Sequence, residues 1–208
     1  MSRIDEPERL RATLGKVHEL ASGKTLKKLD KYAKAYIARA PFLCIGTADA
    51  NGKADVSPRG DPPGFVRVID DGTLIIPDRP GNNRGDTMLN IIANANVGLL
   101  FMIPGIEDTV RVNGKAEIIE DPAALAPATI NGKAPRLGIR VKVEEVFFHC
   151  AKAFKRAKLW DSSTHEDRGF LPPLARIVME QARACEVADA EAEAVELEIQ
   201  EEYRTQLY

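Results

Sequence analysis

The sequence predicts an α+β protein that is mainly β: a small barrel of six or seven mostly antiparallel strands with helices packed outside it. Three observations predict this. Between residues 41 and 150, short apolar runs alternate with Asn-Gly, Asp-Gly and proline-bearing turns. A lysine-rich segment with apolar residues at helical spacing precedes them, and an Ala/Glu-rich segment follows from Pro172. At 208 residues the chain has room for one good-sized domain with helical additions. We read 1–40 as an N-terminal helical region, 41–160 as the barrel core and 172–208 as a C-terminal helical extension of that single domain.

The elements follow in order. Residues 1–25 are polar and expected at the periphery. From Leu26 to Ala40, Leu26, Leu29, Ala33, Tyr36, Ile37 and Ala40 fall on one helical face, and Pro41 should end that helix. Phe42–Thr47 and Lys53–Ser57 form a predicted hairpin around Asn51-Gly52. Phe65–Ile69 and Leu74–Ile76 repeat the pattern around Asp71-Gly72. Thr87–Ala95 reads as a short helix. Val97–Ile103 and Val110–Glu120 read as long strands joined by the 104–108 turn, with Asn113-Gly114 marking a bulge or an early turn. Residues 121–138 read as a short helix and loop, and Arg140–Cys150 returns to strand. Beyond Pro172, Leu174, Ile177, Val178 and then Ala182–Tyr203 keep helical spacing.

Composition narrows the function. A formal charge of -2 gives no basic field for nucleic acid. Cys44, Cys150 and Cys185 are far apart, which argues against a zinc site or a disulfide framework and suits a reducing cytoplasm. The N-terminus MSRIDEPERL has no apolar signal core, and the run Val97–Ile103 is too short to span a bilayer. A cytoplasmic protein with no membrane partner is the expectation. Neither a GxSxG elbow, an HExxH pair nor a P-loop occurs, and His18, His149 and His165 have no metal-site spacing. If the protein is an enzyme, its reactivity comes from a bound organic cofactor.

Residues 74–92, LIIPDRPGNNRGDTMLNII, run from an apolar strand through a polar loop into a helix. Arginines, two amides and a glycine ahead of a helix start suit a phosphate, which would gain from free N–H groups and the helix dipole. The same residues also suit a plain surface turn whose arginines pair with Asp78 and Asp86. Arg59, in VSPRGD, ends a strand where a forked guanidinium can hold a flat anionic ring or a phosphate, or pair with Asp55 or Asp61. Arg111 and Asn113 share a strand face, whose default state is solvated. In FHCAKAFKRAKLW, His149 ends a strand, and Lys152, Lys155, Arg156 and Lys158 precede Trp160. Cations beside aromatics suit a ring with a phosphate tail, or form an amphipathic turn with Phe154 and Trp160 buried.

In order and spacing, PFLCIGTADANGKADVSPRGD, GTLIIPDRPGNNRGDTMLNIIANANVGLLFMIPG, DTVRVNGKAEI and EVFFHCAKAFKRAKLW resemble the pyridoxamine 5'-phosphate oxidase-like flavoproteins. Within them the likeness is to the pyridoxamine phosphate oxidase-related FMN-binding proteins, over roughly residues 41–160. The resemblance implies an FMN-binding, Greek-key-like split barrel acting on a small-molecule substrate, and a homodimer with two FMN sites at its subunit interface. It implies cofactor contacts from Ser57, Arg59, Pro77, Asp78, Asn82, Asn83 and Arg84 of one subunit. It further implies an approach by Arg111, His149, Lys152 and Trp160 from the partner or across the pocket. Relatives of the fold also hold a deazaflavin or haem, with His149 the available axial ligand, and a flavin held without turnover is a further alternative. The true oxidase carries an arginine-containing C-terminal segment ending in proline. Here the chain runs from Leu171-Pro172-Pro173 into a Glu/Ala-rich helix, so the resemblance does not extend to pyridoxamine phosphate oxidation.

Overall fold

The structure is a computed structural model and describes residues 3–208; Met1 and Ser2, the start of the expected polar periphery, lie outside the described residues. Seven strands form one sheet: β1 (Phe42–Ala48), β2 (Ala54–Gly60), β3 (Arg67–Asp70), β4 (Thr73–Pro77), β5 (Asn96–Ile103), β6 (Ile106–Ile119) and β7 (Gly138–His149). Their spatial order is β2-β1-β5-β6-β7-β4-β3, and every pairing is antiparallel. The β5-β6-β7 meander with β4 returning beside β7 gives the Greek-key-like arrangement.

Alternation builds the core. β1 buries Leu43, Ile45 and Thr47, β5 buries Val97, Leu99 and Phe101, and β6 buries Val110 and Val112. Ile139, Val141, Val143 and Val146 of β7 complete the cluster with Leu74 and Ile76. The β1–β2 turn is built as its residues require: Asp49 accepts from the amides of Asn51 (2.8 Å) and Lys53 (2.9 Å), and Gly52 takes φ 82°. Asn113-Gly114 is a bulge, where the β6–β7 register shifts. A Cβ at Gly114 would run into the Lys142 carbonyl, so only glycine fits there. β2 is an edge strand with no buried residue, and it carries Pro58 in its interior, a position that suits proline only on an edge strand or at a bulge.

Eight helices surround the sheet among the described residues. α1 (Pro7–Leu14) and α2 (Glu19–Gly23) are exposed, as a polar periphery should be. The helix expected over 26–40 is shorter, α3 (Lys31–Ile37). Asp30 caps it by accepting from Tyr32 (3.1 Å) and Ala33 (2.8 Å), while Leu26 instead exchanges both backbone hydrogen bonds with Val146 of β7. The strand expected from Phe65 starts at Arg67, although Phe65 and Val66 are buried. α4 (Asp86–Ala93) follows the polar loop, and α5 (Pro122–Leu125) with a 3₁₀ turn fills the β6–β7 connection. α6 (Lys152–Ala157) follows β7.

The C-terminal segment is two helices rather than one run: α7 (Leu174–Arg183) and α8 (Asp189–Thr205). Ala184 turns left-handed at φ 55° and breaks the periodicity. The two helices pack chiefly on each other, through Met179, Val187, Ala192 and Val195.

Candidate functional site

The sheet curls until the end of β2 faces the loop after β4, and two reciprocal ion pairs bridge that seam. Arg59 Nη1 lies 2.9 Å from Asp78 Oδ1, and Arg79 Nε lies 2.6 Å from Asp61 Oδ2. RGD on one side thus meets DR on the other, charge for charge. The inner pair is the better sealed: the Asp61 side chain is only 1% exposed. Arg79 is further committed through Nη2 to the Ala128 carbonyl at 2.7 Å, so its fork is spoken for.

At this seam lies a cleft of about 450 Å³, within the usual size range of small-molecule sites. Alternation along β2 puts Asp55, Ser57 and Arg59 on its half-buried face, and all three line the cleft. The opposite wall is the loop 78–85 with Asn82, Asn83 and Arg84, and the floor includes Thr87 and Met88 of α4. Asn83 and Gly85 take positive φ (55° and 70°), which lets the loop turn sharply into α4. Gly85 leaves the first amides of α4 without a side-chain cap.

Charge in the cleft is balanced, Asp55, Asp78 and Asp86 standing against Arg59, Arg79 and Arg84. The three arginines differ in what they have left to give. Arg84 is 71% exposed and pairs with Asp86 at 2.7 Å, a contact of the kind water and salt weaken readily. Its guanidinium is held protonated more firmly than usual by Asp86. Arg59 is largely buried, and its Nε is sealed from solvent without any hydrogen-bond partner. Asp78 shows the cost of the enclosure: burial raises its pKa, outweighing the opposing pull of Arg59.

The structure therefore gathers Ser57, Arg59, Asp78, Asn82, Asn83 and Arg84 around one cleft, with Pro77 buried at the end of β4 beside it. It sets Arg111, His149, Lys152 and Trp160 elsewhere on the chain, none of them lining the cleft. Arg111 lies over the Phe147 ring (4.1 Å to its centroid), and Phe147 neighbours His149 at 4.9 Å. Glu145 Oε1 accepts from Arg111 (2.6 Å) and Asn113 (3.0 Å). Arg111 Nε is a second buried nitrogen without a partner. Burial, then Arg111 and Lys24, lowers the His149 pKa and favours the neutral ring. Trp160 donates to the Ile106 carbonyl (3.0 Å) and packs on Phe154, while Lys152 is exposed.

Sequence reasoning missed Asp55, Thr87, Met88 and Leu137 as lining residues, and missed the bond from Asn90 to Thr47 (3.1 Å) that ties α4 to β1. Only the RGD–DR reciprocity could have signalled the seam. Among the described residues no His/Cys/Asp/Glu group could hold a metal, and no helix is long and apolar enough to cross a membrane.

Sheet, seam and cleft define a split-barrel protein. A family model described as pyridoxamine 5'-phosphate oxidase matches residues 29–150, more than half of the chain, and the protein belongs to that family. Among solved structures, it is similar to Group A Streptococcus HupZ at 24% identity and a TM-score of 0.49, covering 58% of this chain and 93% of that one. General Stress Protein 26 from Bacillus anthracis follows at 18% identity and 0.44, over 55% of this chain and 88% of that one. An FMN-binding protein from Syntrophomonas wolfei matches at 12% identity and 0.40, over 55% and 78%. No curated protein matches the chain.

Proposed function

We propose that the protein is an FMN-dependent oxidoreductase acting on a small organic substrate, with FMN seated in the seam cleft. The observation that carries this reading is the gathering of Ser57, Arg59, Asn82, Asn83 and Arg84 around one open cleft, in a chain of this family. Guanidinium, hydroxyl and amide donors on facing walls suit a ligand with anionic and carbonyl edges. When bound, FMN supplies a ring that accepts a hydride or electrons.

The chain's own residues then divide the work. Arg84 exchanges its exposed contact with Asp86 for the phosphate, a forked and charge-assisted partner. Asn82 and Asn83 add amide donors, and the uncapped amides of α4 face the same loop. Ser57 offers a hydroxyl from β2. Arg59, oriented by Asp78, would present its guanidinium to an anionic or carbonyl edge of the ring.

The cleft carries no aromatic side chain among its lining residues, whereas Arg111, Phe147 and His149 cluster on β6 and β7, followed in the chain by Lys152 and Trp160. A homodimer in which this second group meets the cleft of the other copy completes the site. Val56, Leu89 and Ile92 support it, being apolar, 61–75% exposed and carried on elements that wall the cleft. Visible absorption of the purified protein, before and after adding FMN and desalting, tests the reading. A retained flavin spectrum is the expected result. A Soret band would transfer the case to haem and His149, and a colourless protein that keeps no FMN would refute the assignment.

A further inference from the structure

The loop that walls the cleft has open space on both sides. Behind it lies a second cavity of about 520 Å³, which shares Asp78, Arg79 and Asn83 with the first. A segment between two voids is not held by packing, so its polar contacts must hold it. Three of those contacts meet at Arg79, and one of the three comes from Tyr208.

Gln206 ends α8, and Tyr208 then reaches back to the barrel. Its hydroxyl donates to Asp61 Oδ1 at 2.9 Å, the oxygen that Arg79 Nε leaves free. Its ring lies 5.2 Å from the Arg79 guanidinium carbon, within cation–π range. Its main-chain oxygen accepts from Lys133 Nζ. Asp61, almost wholly enclosed, thus has both oxygens satisfied only while Tyr208 is in place. Asp78, the next residue to Arg79, is the partner of Arg59 in the cleft and donates its amide to the Leu137 carbonyl at 2.9 Å.

We propose that Tyr208 is a positioning residue for the cofactor loop: it latches the α7–α8 hairpin onto the Asp61–Arg79 pair and so holds residues 78–84 in register with Arg59. The latch itself stands on the contacts above; its functional half rests on the seam cleft being the flavin site. The latch also gives the hairpin a purpose that its own small core does not explain, since docking at Tyr208 couples hairpin position to the cleft wall.

Hydrogen exchange of the 78–85 backbone, read by mass spectrometry without added cofactor, tests the latch in wild type, Tyr208→Phe and Tyr208→Ala. The first variant keeps the ring over Arg79 and loses only the hydroxyl, so it leaves the barrel intact. Exchange in the loop should rise about tenfold in Tyr208→Phe, the scale of one hydrogen bond to a charged group, and further in Tyr208→Ala. Amides of β5–β7 should stay unchanged. In FMN-loaded protein, the rate of FMN release should follow the same order. Unchanged loop exchange in both variants overturns the latch. Raised exchange with unchanged FMN release overturns its positioning role. A wild type that retains no FMN, with raised exchange in the variants, leaves the latch standing and removes the flavin reading instead.

Discussion

Two ion pairs in one loop do opposite jobs. At its start, Arg79 meets Asp61 across the seam, with side chains 16% and 1% exposed. At its end, Arg84 meets Asp86 with 71% and 48% exposed. The first pair is shielded from water, so breaking it leaves a stranded charge; the second is solvated, so exchanging it for another anion costs little. The loop is thus anchored at one end and available at the other, which is what a binding loop on a rigid frame requires.

The largest effect expected from that contrast is on stability. Asp61→Ala strands the Arg79 guanidinium and should lower unfolding stability by about 3–5 kcal/mol in urea melts. Replacing both partners with apolar residues should recover much of that loss; a double variant as unstable as the single one would show that the seam depends on charge itself. Arg84→Ala should leave the melt unchanged while weakening FMN binding by roughly tenfold or more, from the lost charge-assisted contact. An unchanged FMN dissociation constant would remove the phosphate role from Arg84.

Two smaller effects depend on pH. The Tyr208 phenol is held above its ordinary value of 10.0, chiefly by its hydrogen bond to Asp61. Its folded pKa exceeds the unfolded one, so its contribution is complete below about pH 10 and is lost as pH rises through the raised value. Urea midpoints at rising alkaline pH should fall further in wild type than in Tyr208→Phe. His149 runs the other way and is the smallest effect. Its pKa is lowered by burial, with Arg111 and Lys24 adding repulsion. Stability from the neutral ring is present above its unfolded value of 6.5 and is lost as pH falls through the lowered one, a slope that His149→Gln should flatten.

The strands were legible because their information is local. Asn51-Gly52 closes a hairpin wherever it stands between apolar runs, and the alternation of β1 and β5 names their buried face. The Asn113-Gly114 bulge was legible for the same reason. Helix limits were not, where a long-range partner intervened: Leu26 fits a helical face, yet Val146 takes its backbone bonds. The C-terminal break at Ala184 had no glycine or proline to announce it. In the cleft, residue types were legible but not commitments. Nothing local distinguishes Arg79, locked by Asp61 and Ala128, from Arg84, because those partners lie 18 and 49 residues away. That the Arg111 group stands apart from the cleft is likewise a matter of strand order, which spacing alone does not give.

The proline inside β2 reaches beyond local geometry. A sheet margin with unpaired amides is a template on which another chain can add itself, strand upon strand, into a growing fibril. Pro58 has no amide hydrogen, so the β2 margin offers an incoming strand one donor fewer. The barrel can keep this border uncovered without the border becoming a seed for polymerisation.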